Sequence, residues 1–385
     1  MNKHSWTYKK LSEVCHPKKD IKRASKHYKS DDYISYIDIS SIDNKNNVIT
    51  ETTRYAFCDA PSRAQQIVCS DDVIISMVRP NLKNIAMVRE GSNLVASSGF
   101  CVLRSRPEVN PSFLFSFVKS TRFTNYLISR VSGANYPAVR ESDIINFSIP
   151  VPSMEEQEAI VAELDEINEV IATLQQQVAD LDALAQSTFY TMFGDSVTNP
   201  KGWEVIKMEE MCKFFSGYTP SQNLLSTQGK YPYFKVAEMN RQRNKVYLIE
   251  TDQYIDNPQK IYPKGSIVFP KNGAAVSTNK KRILYQDSVV DLNTGGITLL
   301  SQMVNLVFLY YIMLSIDFQQ IIRGGAIPTL DIAELKKRLI PIPPLALQQE
   351  FAAKVEAIES AKAEINAQIA EMQTLLASRM DYYFD

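Results

Sequence analysis

The sequence predicts an α+β protein built as an internal duplication. Two similar globular domains with curved β-sheets are separated by two long antiparallel coiled-coil helices, and a pseudo-twofold relates the halves. Three observations predict this. The chain aligns with itself after a shift of 191 residues, two long segments carry an apolar repeat at heptad spacing, and basic and acidic blocks alternate along its 385 residues. The expected boundaries are a first domain at 1–152, a central helix at 153–195, a second domain at 196–344 and a distal helix at 345–385.

In the self-alignment YPAVRESDIINFSIPVPSMEEQ (136–157) falls on IPTLDIAELKKRLIPIPPLALQ (327–348). Pro137 meets Pro328, Pro150 meets Pro341, Pro152 meets Pro343 and Gln157 meets Gln348. With small shifts Trp6 falls on Trp203, Cys15 on Cys212 and Gly99 on Gly296. The pieces keep their order, so a whole domain is repeated.

Within the first domain YISYIDISSID and DDVIISMVRP are short apolar runs bounded by turn residues, and they predict strands. NPSFLFSFVKSTRFTNYLISRV predicts helix with an apolar face. The central helix follows a Pro-rich stop. Its apolar residues Ile160, Leu164, Ile167, Ile171, Leu174, Val178 and Leu181 step by alternating fours and threes, the spacing of a coiled-coil seam. Ser153 with Glu156 supplies a capping box. Gly194 and the Asn199-Pro200 pair end the helix. The second domain repeats the pattern with YPYFKVAEMN and KGSIVFPKNG as strands and NLVFLYYIMLSIDFQQIIRG as helix. In the distal helix the seam is Phe351, Val355, Ile358, Ile365, Ile369 and Met372, interrupted by Lys362, a polar residue of the kind that fixes register.

The net charge of −1 conceals strong segregation. Residues 1–153 carry 21 Lys/Arg against 14 Asp/Glu, and residues 154–195 carry none against 10. Residues 196–345 carry 18 against 12, and residues 346–385 carry 3 against 7. Local patches rather than the average govern contact with a polyanion, so the two basic blocks admit one as partner. No apolar run approaches the ~20 residues of a membrane span, and MNKHSWTYKK lacks the apolar core of a signal peptide. The five cysteines form no C-x-x-C pair, which fits reduced thiols in the cytoplasm. His4, His16 and His27 bring no ligand cluster or catalytic triad with them. No phosphate-cradling glycine motif occurs, and the Asn/Asp-Pro-Pro-aromatic motif of amino-methyltransferases is missing, since Pro343-Pro344 follows Ile342. No catalytic constellation is visible.

What the basic blocks do hold is cationic, amide and aromatic material at expected strand ends and loops. Arg54, Arg63, Gln65, Arg79, Asn81, Lys83, Asn84 and Arg89 belong to the first block. Ser216, Tyr218, Thr219, Lys235, Asn240, Arg241, Arg243, Lys271, Asn272, Asn279, Lys280 and Lys281 belong to the second. Arg and Lys suit phosphates and guanine edges, Asn and Gln suit adenine edges. Each alone reads better as a solvated surface residue, and only their concentration on both basic halves tilts the reading toward DNA.

Basic domain, acidic seam helix, basic domain, acidic seam helix: the arrangement resembles the DNA-specificity subunit of type I restriction–modification systems over essentially the whole chain. FGDSVTNPKGWE resembles the family's junction between central helix and second target-recognition domain. YPAVRESDIINFSIPVPSMEEQ resembles the end of a first such domain. SGYTPS (216–221) with YPYFKVAEMN resembles the start of the second, and RPNLKNIAMV (79–88) fits the first. The resemblance implies a non-catalytic subunit that reads double-stranded DNA in two half-sites and holds two methyltransferase subunits, with restriction (translocase/nuclease) subunits joining to cut. It implies no cofactor on this chain, with S-adenosylmethionine, ATP and magnesium on the partners, and no membrane. One departure is LIPIPPLALQQEF, which lacks acidic residues before Gln348 and so weakens strict symmetry of partner docking. Two other readings stay open: a DNA-modifying enzyme, which would bind S-adenosylmethionine by itself, and a coiled-coil adaptor, which would leave the basic blocks without a role.

Overall fold

The fold is seen in a computed structural model that describes residues 6–132, 137–325 and 327–384. His4 and the Tyr136 end of the first repeated motif lie outside the described residues. Contacts divide the chain into two units, Met1–Gln175 with Asn366–Asp385, and Gln176–Ile365. The division cuts each long helix, Met154–Phe193 and Leu345–Phe384, near its middle.

In the first unit Thr7–Lys10 pairs antiparallel with Ser148–Val151, so the domain begins and ends on one two-stranded ribbon. Val73–Ser76 lies between Ile85–Met87 and Phe100–Leu103, antiparallel to both. A second, four-stranded sheet has the order Thr53–Ala56, Tyr33–Ile37, Leu94–Ser97, Ala64–Ile67. In it Tyr33–Ile37 runs antiparallel to the first neighbour and parallel to the second. Pro111–Val118 and Thr121–Arg130 form two helices where the apolar pattern predicts helix. They divide at Ser120, whose hydroxyl accepts from the Phe123 N–H at 3.2 Å and caps the second.

The second unit repeats the ribbon, the antiparallel sheet and the mixed pairing, but its second sheet has three strands, and the expected helix forms only at Leu306–Ser315 and gives way to a 3-10 turn at Phe318–Ile321. Val205–Lys207 pairs antiparallel with Leu339–Pro341. Ile267–Pro270 lies between Arg282–Leu284 and Thr294–Leu299, and Cys212–Ser216 and Tyr247–Leu248 widen that sheet to five strands. Tyr231–Phe234 is antiparallel to Tyr254–Ile255 and parallel to Val289–Val290. The same mixed pairing in both units is the topological signature of the duplication. Gly217 and Gly296 are required by close approach. A Cβ on Gly217 would lie 2.1 Å from the Asp291 carbonyl oxygen, and one on Gly296 2.3 Å from the Phe215 ring.

Each unit draws on both long helices. In the first, Ile160 and Leu164 join Phe113, Phe117 and Phe123 in one apolar core that Tyr383 and Phe384 complete. Phe384 packs its ring 5.5 Å from Phe113 and 5.6 Å from Phe117. Glu163 accepts from Arg379 Nε at 2.6 Å and from the Tyr383 hydroxyl. In the second unit Phe189 and Phe193 fill the equivalent place, with Phe193 4.8 Å from Phe308 and 5.4 Å from Phe351. Here the helices run antiparallel in step: Asp182 meets Lys362, and Phe193 meets Phe351, eleven residues on along one helix and eleven back along the other. Of the seam residues in the first unit, Ile160, Leu164, Ile167, Ile171 and Ile369 are buried, and Leu174 and Met372 half-buried. In the second, Val178, Phe351 and Val355 are buried, and Leu181, Ile358 and Ile365 half-buried. Burial opposes the charge of Lys362, but Asp182 at 2.6 Å and Glu359 at 2.7 Å hold its pKa above the ordinary lysine value.

The helix ends follow from their caps. Ser153 and Glu156 make the reciprocal pair of a capping box, each bond 3.2 Å. Gly194 ends the helix at φ 81°, where a Cβ would press on Pro200 at 2.8 Å. Asn199 then clasps the Trp203 backbone from both amide ends, at 2.8 and 3.0 Å, and the Trp203 indole N–H donates to the Phe193 carbonyl at 3.0 Å.

Gln157 and Gln348 have the same job. Gln157 is fully buried; its Oε1 accepts from the Asn110 N–H at 2.8 Å, and its Nε2 donates to the Glu108 and Pro152 carbonyls, both at 3.0 Å. Gln348, also fully buried, accepts from the Asn305 N–H at 2.8 Å and donates to Met303 and Pro343 at 3.1 and 2.7 Å. Asn110 and Asn305 in turn cap the helices at Pro111 and Leu306. One glutamine thus ties the start of a long helix to the helix packed on it, and its loss leaves three backbone groups without this partner. Gln157→Ala or Gln348→Ala should each lower stability by roughly 2–4 kcal/mol, measured by denaturant unfolding of the full chain. A loss under about 0.5 kcal/mol in both would show that water replaces the clamp.

Candidate nucleic-acid interface

In the first unit a segment of low regular structure, Pro17 to Tyr28, is pinned to the domain by a few apolar and backbone anchors. Ile21 and Ala24 are buried, the Ile67 N–H donates to the Lys22 carbonyl at 3.0 Å, and Arg23 bridges to Gln66. The residues between the anchors are cationic and turn outward. They line a cleft of about 660 Å³ formed by Lys18, Lys19, Ile21, Lys22, Arg23, Lys26, His27, Gln65, Gln66 and Ser98. A second hollow of about 250 Å³ continues from it past Arg23, Gln65, Ser25, Phe57, Ala60, Pro61, Ser62 and Ala64. No carboxylate lines either. A cleft of one sign concentrates the potential that draws in a polyanion. Lys18 is held by the Glu141 carboxylate, and Gln66 is committed to the Ser97 and Phe100 carbonyls, both at 2.9 Å.

The expected contact residues of this unit divide. Gln65 lines the cleft, and the Arg63 carbonyl takes the N–H of Ser98 in its wall at 2.8 Å. Arg54 is exposed on an edge strand and lies 4.5 Å over the equally exposed Tyr33 ring, an arrangement that presents a guanidinium on a rigid support. Arg79 and Lys83 flank the turn Pro80–Leu82, both left-handed at φ 49° and 51°, outside the cleft. Lys83 donates to the Lys119 carbonyl at 3.3 Å. Asn84 is buried at 8% exposure, which removes it from any direct base contact in this conformation. Arg89 opens onto a different crevice of about 460 Å³ that it shares with Phe115, Lys119, Asp165 and Asn168. There burial pushes Lys119 down to about 8, with Asp165 opposing and Arg89 and Lys83 adding to the shift.

In the second unit most of the candidate residues sit on two loops. Residues 235–250 are braced by fully buried Asn244. Its Nδ2 donates to the Glu238 and Glu250 carbonyls at 2.9 and 2.8 Å, and its Oδ1 accepts from the Ile249 and Glu250 N–H groups at 3.0 and 2.9 Å. The loop 271–280 turns at Gly273, φ 78°, and at Asn279, φ 54°. Lys280 joins the loops by donating to the Asn240 side chain. Arg243, Thr219 and Asn240 are exposed, and Lys235, Lys271, Asn272 and Lys280 partly so. The Tyr218 hydroxyl accepts from the Gln259 N–H at 2.9 Å.

Two expectations are corrected here. The charge run predicts that Lys281 faces DNA, yet it has no exposed surface. Its Nζ donates to Asn279 Oδ1 at 2.5 Å and to the Ile316 carbonyl at 2.6 Å, and it lies 3.9 Å over the Phe318 ring. A charge run reads the same whether its members point out or in, and here the strand Arg282–Leu284 turns the second lysine into the core. Arg241 is the other case: Asp252 takes its guanidinium in a bidentate pair, with Glu238 3.9 Å away. Its charge is already matched, so it offers a phosphate little.

Among the described residues no group of His, Cys, Asp or Glu is placed to hold a metal, and no helix is long and apolar enough to cross a membrane. The Cys15 and Cys212 thiols are pushed up to about 12 by burial and Cys101 further still, which leaves them unreactive.

Residues 3–182 and 200–372 both match the family described as the type I restriction modification DNA specificity domain, one match for each repeat. The chain belongs to that specificity family. It is 25% identical over 288 residues to the type I restriction enzyme MjaIX specificity subunit of Methanocaldococcus jannaschii, a stretch of 68% of this chain and just under two thirds, 66%, of that relative. It superposes with TM-score 0.63 at 25% identity on a chain from the structural work on complex assembly and conformational transition of the type I R-M system, over 98% of this chain and 97% of that one. The type I S subunit of M. genitalium, at 13% identity, shares the fold with TM-score 0.52 over 99% of this chain and 96% of that one.

For a specificity-family member, the candidate contacts read from the sequence leave out the cations of this first-unit cleft. Lys18, Lys19, Lys22, Arg23 and Lys26 fall in HPKKDIKRASKHYK, a run plain in the sequence. The signal that could have found it is the spacing of Ile21 and Ala24, which anchors the run at two points and turns the cations to one side.

Proposed function

We propose that this chain is the DNA-reading subunit of a type I restriction–modification complex, recognising a bipartite target with one half-site for each unit. The observation that carries the reading is the carboxylate-free cleft of Lys18, Lys19, Lys22, Arg23 and Lys26 beside the amide of Gln65. Cations there fix the phosphates, and an adjacent amide can report on a base edge. Membership of the specificity family and the duplication of the whole domain support two half-sites.

The subunit performs no chemistry of its own; the methyl donor, ATP and magnesium belong to two methyltransferase subunits and to restriction subunits that assemble on it in the cytoplasm. What supports docking of two like partners is surface that recurs. Tyr8 on the first ribbon and Val205 on the second are both exposed large apolar residues on corresponding strands. The experiment is methylome sequencing of cells with and without the chain, together with S-adenosylmethionine titration by calorimetry. A bipartite methylation motif that vanishes with the gene, and no heat from the isolated chain, is the expected result. Stoichiometric S-adenosylmethionine binding by the chain alone would instead make it a modifying enzyme.

A further inference from the structure

We propose that Lys281 and Arg282 are positioning residues that set the base preference of the second unit without touching DNA. The proposal rests on the DNA-reading role above and adds which groups beneath the loops, buried Lys281 and half-buried Arg282, decide what is read. The two residues are adjacent in sequence and hold different loops. Lys281 reaches under 271–280 and grips Asn279 Oδ1, which also accepts from the Phe318 N–H at 2.9 Å. This fixes the left-handed turn at Asn279 next to Lys280. Arg282 reaches under the other loop, where its guanidinium donates to the Met239 carbonyl at 3.0 Å and back to the Lys281 carbonyl at 2.7 Å. That Lys281 carbonyl also accepts from the Tyr310 hydroxyl at 3.3 Å, which ties the node to the core helix Leu306–Ser315.

At the outer end the same two loops meet again through Lys280 and Asn240. The loops are thus coupled twice, once at the surface by residues free to exchange their bond for a base or phosphate, and once beneath by residues that are not. Displacing one loop by an ångström against the other would spoil bidentate readout while leaving phosphate attraction largely intact, because hydrogen bonds to base edges demand direction and Coulomb attraction does not. Lys281 is also unusual in having two acceptors and an aromatic face for a buried ammonium, with no carboxylate in hydrogen-bonding contact. Burial pushes it down to about 7, with Asp317 the charged neighbour that pulls it back up.

The test uses the subunit assembled with its methyltransferase partners and carrying Lys281→Met or Arg282→Met, with binding measured on the cognate site, on sites altered in either half, and on unrelated DNA. Discrimination at the second half-site should fall about tenfold or more, with the first half-site unaffected. The salt slope on unrelated DNA should stay within a few tenths of wild type, since loss of a single phosphate contact would change it by about 0.9. A slope reduced by about one for either variant would mean that the residue meets a phosphate, and equal loss at both half-sites would mean general damage; either overturns the proposal. Unchanged discrimination in a wild type that does discriminate sinks the positioning role alone, whereas a wild type without half-site preference sinks the DNA-reading role as well. Should Lys281→Met fail to fold, Arg282→Met and the wild-type titration remain. A buried Lys281 gives up its proton near pH 7 when folded but near the ordinary lysine value when unfolded, so its contribution to stability rises with pH between the two. A Lys281 ammonium that titrates at the ordinary lysine value in the assembled wild type, followed by nuclear magnetic resonance, would place Lys281 outside the core and overturn its part.

Discussion

Neutralising Lys19, Lys22, Arg23 and Lys26 together is expected to weaken DNA binding on the order of 10²–10³-fold at physiological salt and to lower the log–log salt slope by roughly three to four. The four cations line one cleft in the first unit, with no carboxylate among its lining residues to share their charge. Each phosphate they neutralise releases about 0.9 counterion, so four lost contacts give about 3.6 in slope and most of the affinity that depends on it. Lys18 is left in place because Glu141 already holds it. Glutamine is the substitution of choice, since it removes the charge and keeps a polar side chain on exposed positions. Anisotropy titrations of the assembled subunit between about 50 and 200 mM salt measure the slope. The matched control is Arg241→Gln in the second unit, where Asp252 already satisfies the guanidinium and the slope should move by less than about 0.5. An unchanged slope in the fourfold variant would remove the cleft from the interface.

Exchange of residues 208–338 for the corresponding stretch of another specificity-family member is expected to replace one half-site of the methylation motif and leave the other untouched. The boundaries follow the structure. They keep the ribbon of Val205–Lys207 with Leu339–Pro341, the clamp glutamine Gln348 and both long helices. The incoming domain must accept Phe189, Phe193 and Phe351 in its core, so donors with large apolar residues at the positions of Phe308 and Ile312 are the ones to choose. Single-molecule sequencing of methylated DNA reads the outcome as a change in motif rather than a loss of activity. Alteration of both halves would mean that the two units do not read independently.

Much of this architecture was legible in one dimension. The shift that aligns the two Pro-rich junctions also aligns Gln157 with Gln348, and the structure gives both the same three bonds. The step of fours and threes from Ile160 onward needed only the helical period to announce a buried stripe. Gly194, Asp195, Asn199 and Pro200 wrote the end of the helix locally, because caps and turns are satisfied within a few residues. The candidate site was less legible. Arg54, Arg63 and Gln65 stand where a contact residue could stand, but Asn84 and Lys281 are inside, and Arg241 is neutralised by a carboxylate eleven residues away. Sidedness of a short, irregular strand or loop has no period to reveal it, and a lysine that ends in the core is spelled like one that ends in water.

By itself, then, the sequence determined the duplication, the two long helices with their apolar seams, the places where they start and stop, and the alternation of charge that points to a polyanion. These are properties of spacing and composition, and spacing survives projection onto a line. Only the tertiary structure decided that each unit takes the start of one long helix and the end of the other, with Phe384 in the first core and Phe189 and Phe193 in the second. It also decided that Lys19, Lys22, Arg23 and Lys26 share one cleft and that Lys281 and Arg282 hold two loops from beneath. Those outcomes depend on contacts between residues tens to hundreds of positions apart, whose free energy comes from burial and paired polar groups that no local pattern specifies.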